Sequence, residues 1–333
     1  MKTKVSIFTL TISCLLVFIA TYAIPRIGKN KETTSPVQII DNCPSNMEQI
    51  RIKNYNYVQP LILANLNTQS PALEGLRNKI EQYIWEVKKS QQVDEVTVYF
   101  RKLNGGSWFC INPNETYNPA SMSKIIYLIT YLKEAESNPS VLNKKIYFAR
   151  HFSEGNHANI VDFALKENSY YTVKELLLYM IKNSDNDATL LLSQNMNQNI
   201  YKDLFTDLNL PNPPAFGEYY ITAVDYSKFF RVLFNATYVR PEYSEYGLKL
   251  LTQSTYTDGI RNGVDDKIEI AHKFGERIID NKAQLHEFGI VFVAGDPYLL
   301  GIMTKGTSLK QLSGILQEIS RITFSDYMSK YHS

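Results

Sequence analysis

The 333-residue chain is poor in cysteine and histidine and has almost no excess charge of either sign. Lysine and arginine number 35 and aspartate and glutamate 33, so no basic surplus is available to attract a nucleic acid, and no such partner is expected. The 3 cysteines and 5 histidines do not stand at metal-ligand spacing, which argues against a metal site. The 44% of hydrophobic residues is typical of an ordinary globular protein.

An apolar stretch without charge occupies residues 5–24, after Lys2 and Lys4. A positive start followed by an apolar run is typical of an export signal, and Ala23 supplies a small residue near a cleavage point. The stretch is also long enough to span a bilayer. Residues 1–24 are therefore predicted to be either a cleaved signal peptide or a retained membrane anchor. Either alternative places the rest of the chain outside the cytoplasm, in the periplasm, at the cell surface or secreted.

Residues 26–45 are polar and contain two prolines, Pro36 and Pro44. This composition predicts a linker over residues 25–45 and one folded domain over residues 46–333. Beyond the leader only Cys43 and Cys110 remain. They could form a disulfide in an oxidising compartment or stay as two free thiols, and the sequence leaves both alternatives open.

The apolar pattern predicts early strands, a helical middle and late strands. The predicted strands are residues 95–103, 107–111, 268–274, 288–294 and 298–304. The predicted helices are residues 71–89, 125–132, 176–181, 187–196, 223–234 and a last one from residue 309. Thr172 and Glu175 form a capping box before the third helix.

This order of elements predicts an α/β (α+β) fold. We expect one antiparallel five-stranded sheet, flanked by the terminal helices, with an all-helical lobe of about residues 121–255 inserted between the second and third strands. A cleft between the sheet edge and the lobe is the natural place for a site.

The first motif that suggests chemistry is Ser121-x-x-Lys124, at the start of a predicted helix. Residues three apart on a helix project from the same face. A serine hydroxyl becomes a good nucleophile when a base takes its proton, and a lysine with a lowered pKa can be that base. Such a pair also occurs by chance in many chains of this length, so the motif alone is weak.

Two further short motifs follow in the chain. Ser184-Asp185-Asn186 separates two predicted helices, and these residue types favour turns and caps, so a polar corner between helices is the alternative interpretation. Lys273-Phe274-Gly275 ends a predicted strand, where a glycine allows close approach of a ligand or of another backbone. The alternative there is an ordinary strand end.

Together the three motifs resemble those of class A β-lactamases and penicillin-binding proteins, which carry Ser-x-x-Lys, Ser-Asp-Asn and Lys-Thr-Gly in this order. The resemblance extends over most of the chain, from about residue 71 to the final helix. It implies the β-lactamase and transpeptidase-like fold, a serine hydrolase that forms an acyl-enzyme at an amide, and no cofactor.

Carried over to this chain, the resemblance implies four catalytic residues. Ser121 attacks the amide carbonyl and becomes acylated. Lys124 accepts the proton of Ser121, directly or through water. Ser184 passes a proton to the departing nitrogen, and the positive charge of Lys273 assists it.

The resemblance also implies a substrate-binding set, which is Asn186, Gly275 and Glu276. Asn186 would hold the side-chain amide of the substrate. The backbone N–H groups of Ser121 and Glu276, the latter just past Gly275, would bind the oxyanion.

Two departures from the family pattern bear on function. Phe274 stands where the family has Thr or Ser, whose hydroxyl helps to bind the substrate carboxylate. The loop expected over residues 203–221 contains Glu218 as its only glutamate, a candidate for activating the deacylating water or else an ordinary loop carboxylate. His272 is interpreted as a solvated strand residue rather than one that tunes the site.

Three functions follow from these observations. β-Lactam hydrolysis is implied first by the overall resemblance. A penicillin-binding D-Ala-D-Ala carboxypeptidase that acts on the peptidoglycan stem peptide is the alternative, because the deacylating glutamate is not evident. A non-catalytic cell-wall-binding domain of the same fold is the third, for which Phe274 is the main argument. We expect a monomer, attached to the membrane if residues 1–24 are not cleaved.

Overall fold

The structure, a computed structural model, describes residues 47–52, 60–66, 68–152, 165–214 and 217–331. These residues belong to one unit, Ser45–Ser333. The predicted signal or anchor, the predicted linker and Cys43 lie outside the described residues, whereas Cys110 is a buried free thiol. Within the described residues, no helix combines the length and the apolar character needed to cross a bilayer.

The elements that position the site are named here in chain order. The early elements are β1 (Met47–Arg51), β2 (Leu61–Leu66), α1 (Glu74–Lys89), β3 (Glu95–Lys102), β4 (Trp108–Ile111), β5 (Thr116–Tyr117) and α2 (Lys124–Ser137). The central elements are β6 (Lys145–Phe148), β7 (Ser169–Thr172), α3 (Val173–Lys182), α4 (Asn186–Asn195), α5 (Gln198–Asp207), β8 (Ile221–Thr222), α6 (Ala223–Phe234) and α7 (Pro241–Leu251). The late elements are β9 (Ile270–Ile279), β10 (Lys282–Val291), β11 (Tyr298–Gly306) and α8 (Leu309–Tyr331).

The main sheet has five antiparallel strands in the order β4-β3-β11-β10-β9. Two early and three late strands therefore lie side by side, which confirms the predicted fold class. The strand β9 lies at one edge and pairs with β10 through the two-residue turn Asp280-Asn281, whose positive φ values of 49° and 61° suit a tight hairpin.

Two hydrophobic layers cover the two faces of this sheet. On one face the terminal helices α1 and α8 pack through side chains such as Ile80 and Leu316. On the other face α6 places Phe230 against Phe288 of β10, with ring centroids 6.1 Å apart. The helical lobe therefore joins the sheet through an aromatic core between α6 and β10.

The sequence placed the start of one strand too late. The strand β10 begins at Lys282, whereas the sequence predicted a start at residue 288. His286 and Glu287 lie within this strand and are fully buried. Apolar periodicity does not find a strand whose buried positions are polar. The final helix and the capping box agree with prediction, and Thr172 Oγ1 accepts from Glu175 N at 3.2 Å.

The lobe is not all-helical, which corrects the prediction. The strands β6 and β7 form a hairpin within it, and β8 pairs with β5. These strands are only two to four residues long, too short to give an alternating pattern that stands out from their surroundings. The helices α5 and α7 and the hairpin of β1 and β2 were also not predicted.

Candidate active site

Ser121 lies in a 3-10 turn, Ala120–Ser123, that runs directly into α2. Ala120 has a φ of 48°, in the left-handed region that a non-glycine residue rarely adopts. The turn is held by Asn118 Oδ1, which accepts from Ala120 N at 2.9 Å, and by Ser123 Oγ, which donates to Ala120 O at 2.8 Å. Ser121 is half-buried at the start of the helix.

Lys124 opens α2 and lies one turn beyond Ser121. Its Nζ is 3.1 Å from Ser121 Oγ, 3.0 Å from Ser184 Oγ, 2.5 Å from Ser184 O and 2.8 Å from Asn186 Oδ1. The side chain is only 2% exposed. Burial lowers the pKa of Lys124 from 10.5 to about 7, although the carboxylate of Asp185 acts in the opposite direction. At neutral pH a large share of this amine is therefore unprotonated and within reach of the serine hydroxyl.

Ser184 forms the corner between α3 and α4, with a φ of 55°. Asp185 caps α4 by accepting from Ala188 N at 2.6 Å, and Asn186 is the first residue of that helix. The predicted corner between helices is thus present, and the same corner brings both the hydroxyl and the carbonyl of Ser184 to Lys124.

Lys273 reaches the same hydroxyl from the sheet. Its Nζ lies 3.0 Å from Ser184 Oγ and 2.9 Å from Phe274 O, and the side chain is fully buried. Ser184 Oγ therefore lies between two lysine nitrogens. Burial and the neighbouring charge of Lys124 lower the pKa of Lys273, while Glu287 and Glu276 raise it.

Gly275 is the position at which β9 lies against the turn that carries Ser121. A Cβ on Gly275 would stand 2.5 Å from Pro119 O and 2.9 Å from Met122 N, closer than such contacts allow. The absence of a side chain is what lets the backbone of β9 approach this turn. Glu276 follows on the edge strand and its side chain is exposed.

Phe274 is half-buried and stacks on Tyr256, with ring centroids 3.9 Å apart and an interplanar angle of 12°. The ring of Phe274 also lies 4.2 Å from Lys273 Nζ. Tyr256 was not singled out from the sequence, because it comes from the loop after α7 and nothing in its local pattern indicates the partner on β9.

The carboxylate of Glu218 is held by three neighbouring side chains. It forms an ion pair with Arg277 of β9, and it accepts from Tyr220 Oη at 2.8 Å and from Asn118 Nδ2 at 3.4 Å. These contacts lower the pKa of Glu218. Among the described residues, no carboxylate is within hydrogen-bonding distance of Ser121 Oγ or Lys124 Nζ.

His272 is buried, not solvated, which corrects the sequence interpretation. It is 2% exposed, and its Nδ1 lies 2.6 Å from Glu287 Oε1 on β10. The other oxygen of Glu287 accepts from Ile260 N at 2.6 Å. A Cβ on Gly259 would overlap that oxygen, so a glycine is needed where the loop passes Glu287. This pair lies next to Lys273 and contributes to its electrostatic surroundings.

The fold is β-lactamase and transpeptidase-like. A model of the Beta-lactamase enzyme family matches residues 75–327. The chain belongs to that family. Family membership supports a serine hydrolase, and members of this family are typically extracytoplasmic. No curated protein matches the chain in sequence.

Several solved structures share the fold. PBP-A superposes with a TM-score of 0.65 at 18% identity, over 77% of this chain and 97% of that one. The TLA-3 extended-spectrum beta-lactamase gives a TM-score of 0.67 at 16% identity, over 77% and 98%. A beta-lactamase from Chitinophaga pinensis DSM 2588 gives 0.65 at 15% identity, over 75% and 99%. At these identities the likeness establishes the architecture.

Proposed function

We propose that this protein is a serine hydrolase that opens an amide by forming an acyl-enzyme at Ser121. The observation that carries the proposal is the contact of 3.1 Å between Ser121 Oγ and Lys124 Nζ, where the amine has a pKa of about 7. A base with a pKa near the working pH is the kind that removes a proton efficiently. The amide and the nucleophile would meet at the edge of β9.

In this reaction Ser121 Oγ attacks the carbonyl carbon while its proton passes to Lys124 Nζ. The backbone N–H groups of Ser121 and Glu276 bind the oxyanion, and one such donor typically contributes about 3 kcal/mol to transition-state stabilisation. When the carbon–nitrogen bond breaks, the proton reaches the leaving nitrogen through Ser184 Oγ, 3.0 Å from Lys124 Nζ. Lys273 holds that hydroxyl from the other side.

For the substrate class, we propose β-lactams first, with Asn186 and the backbone at Gly275 as binding groups. Family membership supports this choice, and the acyl-enzyme complex of a PBP-A mutant with penicillin G has the same fold. Water would then hydrolyse the ester at Ser121 and restore the hydroxyl.

The second candidate is a penicillin-binding D-Ala-D-Ala carboxypeptidase that acts on peptidoglycan stem peptides. Two observations favour it. Glu218 is paired with Arg277, and among the described residues no carboxylate lies within hydrogen-bonding distance of Ser121 Oγ or Lys124 Nζ. An acyl-enzyme without a nearby base is hydrolysed slowly. A non-catalytic wall-binding domain is the third candidate, supported by Phe274.

We further propose that the domain works outside the cytoplasm as a monomer, with residues 1–24 as its export signal or membrane anchor. The apolar stretch after Lys2 and Lys4 supports export. N-terminal sequencing of the protein recovered from the producing cell would distinguish a cleaved leader from a retained one.

Intact-protein mass spectrometry with millimolar benzylpenicillin tests the function. A mass increase equal to one penicillin, located on Ser121 and lost in Ser121→Ala, supports acyl-enzyme formation. Ser137→Ala is the matched control, since Ser137 lies exposed at the far end of α2 and its loss should leave the adduct unchanged. Rapid loss of the adduct indicates a β-lactamase and a persistent adduct indicates a penicillin-binding protein. No adduct from penicillins or from acyl-peptide esters would contradict the proposal and favour the non-catalytic domain.

A further inference from the structure

Glu287 is a buried charge that the proposed reaction does not use. It lies in β10 with no exposed surface, and no other carboxylate among the described residues is buried as completely. Its two oxygens have separate partners, because Oε1 lies 2.6 Å from His272 Nδ1 and Oε2 accepts from Ile260 N at 2.6 Å. A buried carboxylate is costly unless hydrogen bonds and a nearby positive charge compensate for it. Glu287 therefore places a fixed negative charge inside the protein.

The strand register brings this charge next to Lys273. Glu287 is directly opposite Phe274, the residue that follows Lys273 on β9. Lys273 Nζ donates to Phe274 O at 2.9 Å, so the nitrogen also lies close to this pair of residues. Lys273 is fully buried and forms no ion pair with any of the described residues. In a protein interior, a charge on the neighbouring strand acts on it without direct contact.

The other charged groups around Lys273 differ in sign and exposure. Lys124 of α2 lies 3.0 Å from the same hydroxyl that Lys273 contacts, and its positive charge lowers the pKa of Lys273. Glu276 follows on β9, but its side chain is exposed, so water screens its carboxylate. Burial holds the pKa of Tyr256, from the loop after α7, above its usual value, so its phenol is neutral. Of the two carboxylates, Glu287 raises the pKa of Lys273 more than Glu276 does.

His272 and the loop before β9 hold this carboxylate in place. His272 is 2% exposed, and because the carboxylate is the acceptor, His272 Nδ1 is the donor. A histidine that donates through one nitrogen needs no second proton, so the pair carries one net negative charge. A Cβ on Gly259 would overlap Oε2 of Glu287, which shows how closely the loop covers the carboxylate.

We propose that Glu287 is a positioning residue for the reaction, and that its carboxylate keeps Lys273 in the charged form at neutral pH. The inference rests on the proposed function, in which Lys273 holds Ser184 Oγ while the proton passes to the leaving nitrogen. Both lysine nitrogens lie 3.0 Å from this oxygen, and like charges so close together disfavour each other. Once Lys124 is neutral and acts as the base, the single positive charge lies on Lys273, the lysine next to Glu287.

The first measurement is the protonation state of Lys273 in the full-length protein. NMR titration of selectively labelled lysine side chains between pH 6 and pH 11 reports it, with the Lys273 signal assigned by its absence in Lys273→Arg. Lys273 should be charged at pH 7, and in Glu287→Gln its midpoint should fall by roughly one pH unit or more. A wild-type Lys273 that is neutral at pH 7 overturns the inference.

The second measurement is the pH dependence of acylation by benzylpenicillin. Acylation needs a neutral Lys124 and a charged Lys273, so the rate should fall again at the pH where Lys273 loses its proton. In Glu287→Gln this fall should begin roughly one pH unit or more lower, whereas Glu287→Asp keeps the charge and should keep the wild-type limit. Asp326→Asn is the matched control, because it removes another buried carboxylate, one that pairs with Lys79 on α1, and should leave the limit unchanged.

Thermal melting establishes which variants are folded. A folded Glu287→Gln with the alkaline limit and the Lys273 midpoint of the wild type overturns the inference, and so does a Glu287→Asp that shifts both as far as Glu287→Gln. If Glu287→Gln does not fold, the wild-type titration decides, because the inference requires a charged Lys273 at pH 7. A wild type that benzylpenicillin does not acylate counts against the proposed function instead, and the NMR midpoints still decide the inference.

Discussion

The pH dependence of acylation is the most direct consequence of the contact between Lys124 and Ser121. With a pKa of about 7, the neutral fraction of Lys124 is about one tenth at pH 6, one half at pH 7 and nine tenths at pH 8. The acylation rate should therefore rise roughly fivefold from pH 6 to pH 7 and less than about twofold from pH 7 to pH 8. A solvated lysine would instead give a roughly tenfold rise for each pH unit up to about pH 10.

A charge-removing substitution tests the cause of this profile. The carboxylate of Asp185 raises the pKa of Lys124, so Asp185→Asn should move the midpoint to lower pH, while the amide oxygen of the new side chain can still cap α4 at Ala188 N. Stopped-flow measurements of acylation between pH 5 and pH 10, with circular dichroism at each pH, give both profiles. A rate that keeps rising tenfold per unit above pH 8, or a midpoint that Asp185→Asn moves upward, would refute the assignment of Lys124 as the base.

Three further predictions follow from the same geometry. Lys124→Met should abolish acylation yet raise the free energy of unfolding by roughly 1–3 kcal/mol at pH 7. Because the pKa of Lys124 is lower in the folded state than in the unfolded chain, this gain in stability is largest at or below pH 7 and shrinks toward pH 10.5. Urea unfolding at several pH values would show this dependence. Gly275→Ala should slow acylation at least about tenfold and cost about 1–3 kcal/mol of stability, whereas Gly105→Ala, with open space at its Cβ position, should change neither. Glu218→Gln should leave the lifetime of the acyl-enzyme within about threefold of wild type, because Glu218 is held by Arg277; a much longer lifetime in mass spectrometry would show that it activates water after all.

Local sequence patterns were sufficient for much of the fold. The strands β3, β4 and β11 and the helix α6 lie close to their predicted positions, because each carries an apolar period that matches its structure. The pair Ser121 and Lys124 was also predictable, since three positions on a helix bring two side chains to one face. The strand β10 was misplaced at its start, where His286 and Glu287 are polar but buried.

The sequence alone determined which reactive groups are available and that two of them share a helical turn. Only the tertiary structure decided that Ser184 Oγ lies between Lys124 and Lys273, residues separated from it by 60 and 89 positions, and that Tyr256 covers Phe274. The physical reason is that periodicity reports contacts within one element, whereas the burial that lowers the pKa of Lys124 comes from elements distant in the chain. A side chain's chemistry at such a site depends on what the fold packs around it.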